Sequence, residues 1–283
     1  MYNLSDITTI KAILKKNGFS FSKALGQNFI IDPTVCPQMA EAAIPDAGYG
    51  VLEIGPGIGV LTKELAKRSK HVVAIELDDR LPPILQETLK DFDNIKIIQG
   101  DALKLDLNQL IKEEFPNEKL VICANLPYYI TSPLIMKLLE ENLSAEAIVV
   151  MVQKEAADRL CADVGTRQAG AVTVAVNYYA KAEKLFFVPK TAFLPSPKVD
   201  SEVIKLTLTN DNRKDIEDEK KFFQMVQTAF TKRRKTISNS LCIPPVTKEQ
   251  LAQTLNDLNI PGTARVEELT MQNLKDIYNR IFA

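Results

Sequence analysis

The chain has 283 residues, 46% of them apolar and 25% charged, with 35 basic and 36 acidic side chains. That length suits one large domain plus a small one, and the apolar share gives ample core material. A net charge of −1 excludes a protein that is basic all over, so any affinity for nucleic acid must come from local patches.

The four cysteines, Cys36, Cys123, Cys161 and Cys242, are scattered without a Cys-x-x-Cys pair, which argues against a zinc site and a disulfide framework. A single histidine, His71, makes a catalytic triad or a histidine-rich metal site a poor fit, and it reads as a strand-edge residue. No metal is expected. No apolar run reaches the length of a membrane span, and the first residues lack the basic-then-apolar pattern of a secretory signal. The expected compartment is the cytoplasm.

In chain order, residues 7–16 read as a helix, followed by Gly18 and a loop through Lys23-Ala-Leu-Gly-Gln-Asn-Phe29. From residue 50 the pattern alternates: strand 51–54, helix 59–68, strand 71–77, helix 81–89, strand 95–99. It continues with strand 120–124, helix 133–139, strand 147–152 and helix 154–161. Such alternation predicts an α/β domain with a parallel sheet covered by helices on both faces. Residues 171–178 and 203–208 read as strands flanking a proline-punctuated loop, a candidate antiparallel pair closing the sheet. The polar run 210–219 reads as a linker running into a helix. Beyond it short helices are expected, broken at Pro244-Pro245 and Pro261-Gly262. A boundary near 210 divides a catalytic domain, 1–209, from a small helical domain, 210–283.

The first chemical signal is Gly55-Pro-Gly-Ile-Gly59, directly after an apolar strand. Glycines let the backbone approach a ligand, and the carboxyl end of a strand in an open parallel sheet is where ligands bind. The Gly-x-Gly-x-Gly spacing is shorter than the dinucleotide fingerprint and suits a cofactor without a pyrophosphate. Glu76, closing the next strand, is placed to accept from two ribose hydroxyls, and Asp101, after the third, from an adenine amine. Gly55, Gly57 and Gly59 with these two carboxylates describe S-adenosylmethionine, although either carboxylate alone could be a solvated strand-end charge.

The second signal is Asn125-Leu-Pro-Tyr128 at the end of another apolar strand. The exocyclic amine of adenine is a poor nucleophile because its lone pair is delocalised into the ring. Acceptors aimed at its two N–H groups free that lone pair, and the Asn125 side-chain carbonyl and the Leu126 backbone carbonyl are candidates. Pro127 stiffens the turn, and Tyr128 offers a stacking face. A base must leave its stack to reach such a pocket. Phe193, in the stiff Thr191–Lys198 loop, is either the second ring of a sandwich or a buried loop anchor.

Four segments then carry a family likeness: Lys23-Ala-Leu-Gly-Gln-Asn-Phe29, Glu53 through Thr62, Ala124 through Pro133, and Phe193-Leu-Pro-Ser-Pro-Lys-Val-Asp-Ser201. Their order resembles that of the ribosomal RNA adenine dimethyltransferases, most closely the bacterial branch acting on the small subunit. Val152-Gln-Lys-Glu155 and Phe230-Thr-Lys-Arg-Arg-Lys-Thr236 extend the likeness over nearly the whole chain. The resemblance implies a Rossmann-like class I S-adenosylmethionine-dependent methyltransferase fold, a mostly parallel seven-stranded sheet with a small all-helical carboxyl-terminal domain. It implies transfer of four methyl groups to two adjacent adenosines in the 3′-terminal hairpin of small-subunit RNA, yielding S-adenosylhomocysteine. The implied substrate is a pre-assembled subunit particle, and the implied enzyme a monomer. By motif position Asn28, Ile30, Gly55, Glu76, Asp101 and Asn125 would contact the cofactor, with Leu77 and Ala102 beside them, while Gln27 and Phe29 help to close the site. Lys232-Arg-Arg-Lys235 is the implied phosphate-binding run; a solvated helix face is the alternative. One departure is Ala169, where the family commonly has a tyrosine. A large-subunit, resistance-type methyltransferase and a non-catalytic assembly factor remain as alternative functions.

Overall fold

Gly50–Ile54 is buried along its whole length, as a strand covered on both faces must be. In the computed structural model, which describes residues 2–22, 25–211, 213, 215–242 and 246–281, it sits near the middle of a sheet. Lys23 and Ala24 of the amino-terminal motif, and the expected break at Pro244-Pro245, lie outside the described residues. In chain order the strands are β1 (Phe29–Ile30), β2 (Gly50–Ile54), β3 (His71–Glu76), β4 (Ile95–Gln99), β5 (Leu120–Asn125), β6 (Ala147–Gln153), β7 (Ala180–Val188), β8 (Phe193–Leu194) and β9 (Ser201–Leu208).

Seven of them form one sheet in the order β4-β3-β2-β5-β6-β9-β7, while β1 and β8 pair antiparallel by themselves. From β4 to β6 every pairing is parallel, and β9 runs antiparallel to β6. The chain thus steps outward from β2 to β4, then returns to place β5 on the other side of β2. That reversal opens a crevice at the carboxyl ends of β2 and β5, the position where open α/β sheets hold ligands. The strands contribute fully buried Val51, Leu52, Val72, Val73, Ile122 and Val149, each worth about 1.5–3 kcal/mol of transfer free energy.

One element needs correction. Residues 171–178, read as a strand, lie in the helix Ala171–Tyr179. An apolar run of this length does not distinguish strand from helix by periodicity, because the segment is buried nearly all round. Its start is fixed by the Gly170 N–H donating to Thr173 Oγ1 at 2.9 Å, and the Thr173 hydroxyl donates to the Arg159 carbonyl at 2.7 Å. The strand that closes the sheet is β7, immediately after this helix. The polar run does lead into a helix, as expected: Asp218 caps the helix Glu219–Thr231, and Arg213 pairs with Glu219 at 2.8 Å.

The chain divides into two compact units, residues 1–157 with 183–208, and residues 158–182 with 209–283. A single cut near 210 is therefore too simple, since 158–182 groups with the carboxyl-terminal part. In the second unit, Tyr178, Tyr179, Phe222, Phe223 and Tyr278 pack edge-on and tilted against one another at 4.9–5.6 Å between centroids. The remaining elements there are the helices Ile237–Ser240, Lys248–Asp257 and Met271–Ile281. Among the described residues no helix is long and apolar enough to cross a membrane.

Candidate active site

The turn after β2 carries three glycines in the left-handed region, Gly55 at φ 73°, Gly57 at 60° and Gly59 at 89°. They differ in what surrounds them. A methyl group on Gly57 would lie 3.2 Å from the Phe29 ring, and one on Gly59 3.0 Å from Leu89, whereas one on Gly55 would meet no atom within 4 Å. Gly57 and Gly59 are small because protein packs against them. Gly55 opens onto a cleft.

That cleft is lined by the ends of four parallel strands and by the amino-terminal motif. Gly55 and Gly57 follow β2, Glu76 and Leu77 close β3, Asp101 and Ala102 follow β4, and Asn125 through Tyr128 close β5. Gln27, Asn28 and Ile30 line it from the amino-terminal side, and Phe193 from β8. The cofactor and base-pocket residues expected from sequence therefore meet in one cavity, except Gly59, which lies behind Leu89 as a packing glycine.

Glu76 is 6% exposed and joins two strand ends. Its carboxylate accepts from the Gly57 N–H at 3.2 Å and the Asp78 N–H at 2.8 Å. Burial pushes its pKa above the usual carboxylate range, against the lowering effect of those two backbone donors. Asp101 accepts from the Leu103 N–H at 3.0 Å and lies 3.5 Å from the Lys104 ammonium, with its side chain 27% exposed. Both carboxylates keep lone pairs for a ligand, since each oxygen can accept more than one hydrogen bond.

Asn125 donates weakly, through Nδ2, to the Asn28 carbonyl at 3.4 Å, which orients its amide across the cleft. Asn28 in turn donates to the Gly26 carbonyl at 2.9 Å. Pro127 sits at φ −56°, and its carbonyl accepts from the Ile130 N–H at 3.1 Å. The Tyr128 hydroxyl shares a 3.0 Å hydrogen bond with Ser201 Oγ, which holds the ring and links the Asn-Leu-Pro-Tyr turn to the end of the proline-rich motif. Burial raises the Tyr128 pKa, so the hydroxyl stays protonated at neutral pH. Phe193 is 3% exposed and pairs with Ile30 across β1 and β8. It is both a core anchor and part of the cleft wall.

Gln27 holds the amino-terminal motif in place. Both ends of its amide are committed to protein: Nε2 donates to Asp78 at 2.7 Å, and Oε1 accepts from the Ser22 N–H at 2.9 Å. Asp78 is gripped from the other side by Arg80, at 2.8 and 2.6 Å, which holds its carboxyl below the usual range. Arg80 also donates to the Ser20 carbonyl and lies 4.7 Å over the Phe19 ring. Gln27, Asp78 and Arg80 therefore latch the amino-terminal segment to the end of β3. Sequence reasoning missed Asp78, Arg80 and Ser201. Ser201 had a signal in the motif that it ends, whereas Asp78 and Arg80 look like ordinary surface charges.

Under the glycine turn lies Glu53, 1% exposed, with neither carboxylate oxygen in a hydrogen bond. Burial raises its pKa to about 8; the neighbouring Thr62 hydroxyl lowers it somewhat, without reaching hydrogen-bond geometry. The thiols of Cys36 and Cys123 are buried nearby and pushed up by burial and by Glu53, so neither is a nucleophile at neutral pH.

Comparisons with known proteins point to the same chemistry. The family profile "Ribosomal RNA adenine dimethylase" matches residues 18–282. The chain belongs to that family. It is similar, at 47% identity over 96% of its length and 94% of the relative's, to "Ribosomal RNA small subunit methyltransferase A" of Geobacillus thermodenitrificans. It is 42% identical to the protein of that name from Alkaliphilus oremlandii, over 99% of both chains. Among solved structures it matches a dimethyladenosine transferase from Plasmodium falciparum with a TM-score of 0.71 and 26% identity, covering 86% of this chain and 95% of that one. It also matches the 23S rRNA methyltransferase ErmE, with a TM-score of 0.67 and 28% identity over 90% of this chain and 100% of that one. The fold is thus the Rossmann-like class I methyltransferase fold expected from the motifs, and the chain is an S-adenosylmethionine-dependent ribosomal RNA adenine methyltransferase.

The rest of the expected interface lies in the second unit. The Lys232–Lys235 run occupies the turn after the helix Glu219–Thr231 and is not a helix face. Lys232, Arg234 and Lys235 are exposed, but Arg233 is occupied, 3.5 Å from Glu267 and donating to the Arg167 carbonyl. Ala169 is fully buried.

Proposed function

We propose that this chain dimethylates N6 of two adjacent adenosines in the 3′-terminal hairpin of small-subunit ribosomal RNA, within a pre-assembled 30S particle in the cytoplasm. It acts as a monomer and uses four molecules of S-adenosylmethionine. The small-subunit reading is supported by the relatives at 42–47% identity, which carry that name over nearly their full length. The adenine chemistry is supported by one observation above the others: a single cleft is lined both by Gly55, Glu76 and Asp101 and by Asn125, Tyr128 and Phe193.

The residues present fit the cofactor. Gly55 leaves open the space that a side chain would fill, Glu76 suits a ribose diol, and Asp101 suits an adenine amine, with Leu77 and Ala102 as apolar neighbours. When bound, S-adenosylmethionine supplies an electrophilic methyl group on a sulfonium. The chain's own work is alignment. Tyr128, fixed by Ser201, stacks on the flipped base, and Phe193 closes the other side. Asn125 Oδ1 and the Leu126 carbonyl accept from the amine's two N–H groups and draw the nitrogen toward tetrahedral geometry. No general base is required, because the methylated, cationic amine is acidic enough to lose its proton to water. Holding nucleophile and electrophile in line supplies a large share of the rate. Lys232, Arg234 and Lys235 are the phosphate contacts of the carboxyl-terminal unit.

Asn125→Ala tests this division of labour. The variant is expected to bind the RNA particle near wild-type levels, while methyl transfer at saturating cofactor falls by at least about a hundredfold, the order seen when a transition-state hydrogen-bonding group is removed. Retained methylation would overturn the assigned role.

A further inference from the structure

Lys137 is a charged side chain on a helix whose other buried residues, Thr131 apart, are apolar, and it is only 15% exposed. Its helix, Thr131–Glu140, begins three residues after Tyr128, so it carries the target-base turn on its amino-terminal end. The ammonium reaches across to the turn that follows β4. It donates to the Leu103 carbonyl at 3.0 Å and the Leu105 carbonyl at 2.7 Å, and lies 3.3 Å from the Glu141 carboxylate. An ammonium has three N–H donors and no acceptor, and here three acceptors meet it.

The turn so gripped is the one that presents Asp101, Ala102 and Leu103 to the cleft. It is a single helical turn, with the Lys104 and Leu105 N–H groups donating to the Asp101 carbonyl at 2.8 and 3.0 Å, and the Leu103 N–H to the Asp101 carboxylate. Carbonyls at the end of such a turn have no partner within it and need one from outside. A second tether runs to the same helix end, from Asn108 Nδ2 to the Glu141 carbonyl at 2.9 Å. That bond holds the next helix, Leu107–Glu114, and does not touch the Asp101 turn.

Resting on the proposed reading of the cleft, we infer that Lys137 is a positioning residue that fixes the adenine side of the cofactor pocket against the helix carrying the target-base turn. It acts through Asp101 and touches neither substrate. Charge-assisted bonds to two carbonyls are strong enough to hold a short turn in place. The consequence is a split between binding parameters. Loosening the turn weakens cofactor binding, while the rate at saturating cofactor is set by Asn125, Tyr128 and Phe193 and RNA binding does not depend on that turn.

The test is Lys137→Met, similar in length but without donors, measured by calorimetric titration with S-adenosylmethionine and S-adenosylhomocysteine and by steady-state methylation. The expected result is a rise of about tenfold in cofactor Kd and KM, with kcat and the KM for the RNA particle within about twofold of wild type. Lys137→Arg, which keeps donors at that place, is expected to recover most of the affinity, and Asn108→Ala to leave it unchanged. Should Lys137→Met fail to fold, Lys137→Gln takes its place, with a smaller rise in the same parameter. Unchanged cofactor affinity in a folded variant, or an equal loss in RNA KM, overturns the inference. A wild-type protein that binds neither cofactor form would overturn the functional reading itself, which is a separate outcome.

Discussion

Replacing Glu53 by Gln should make the protein more stable, and more so as the pH rises. The carboxyl is fully enclosed beneath the glycine turn, lacks a hydrogen-bond partner, and has a pKa of about 8 against 4.5 for an unperturbed side chain. The folded state therefore binds its proton more tightly than the unfolded state does. The penalty for ionising it is absent below the unfolded value, grows as pH rises, and levels off above about 8. Integrating between about pH 5 and about pH 9 gives a wild-type loss of about 4 kcal/mol from this one group. Glutamine has the same shape and no ionisation, so the variant escapes that loss. Urea unfolding of both proteins at several pH values reads the difference directly, as midpoints that diverge toward alkaline pH with similar slopes. Parallel pH dependences would refute the reasoning and imply that water or a cation reaches Glu53.

Three further outcomes follow from the same geometry. Gly55→Ala forces a side chain into φ 73°, at a cost of about 1–2 kcal/mol, and places a methyl in open cleft; S-adenosylmethionine titration should show weakened binding, and unchanged affinity would contradict the cofactor assignment. Tyr128→Phe loses only the bond to Ser201 and should keep methylation within a few-fold of wild type, whereas Tyr128→Ala loses a stacking face worth about 1–3 kcal/mol and should lower kcat/KM by about tenfold to a hundredfold. Equal losses in the two would remove the stacking role. Asp78→Asn weakens the grip of Arg80 and Gln27, and stopped-flow displacement should show faster cofactor release; because Asp78 is held below its usual 3.8, the grip is complete above that value and fades only as pH falls through the lower folded one.

The sheet was legible because its strands are short apolar runs ended by glycine or a carboxylate, at Gly55, Glu76 and Asp101. The cleft was legible for the same reason, since strand ends are where an open sheet binds. The helix Ala171–Tyr179 was not, because its residues are apolar on every side and the Thr173 contacts that start it come from distant chain. The helix Val35–Ala43 went unread beside it, with a proline third in its sequence and no side-chain cap to mark its start. The partner that holds Gln27 was not legible, since Asp78 is 51 residues away. The basic run gave no hint that Arg233 is spent on Glu267 and the Arg167 carbonyl.

The central claim is adenine dimethylation on the small subunit, and transfer of labelled methyl groups tests it most directly. Under-methylated small subunits, large subunits and free ribosomal RNA are incubated in parallel with labelled S-adenosylmethionine, and the product nucleosides are mapped by mass spectrometry. The account predicts N6,N6-dimethyladenosine at two neighbouring positions in the 3′-terminal hairpin of the small-subunit RNA, with little label elsewhere. Label confined to the large-subunit RNA, or none on any substrate while the cofactor still binds, would contradict it.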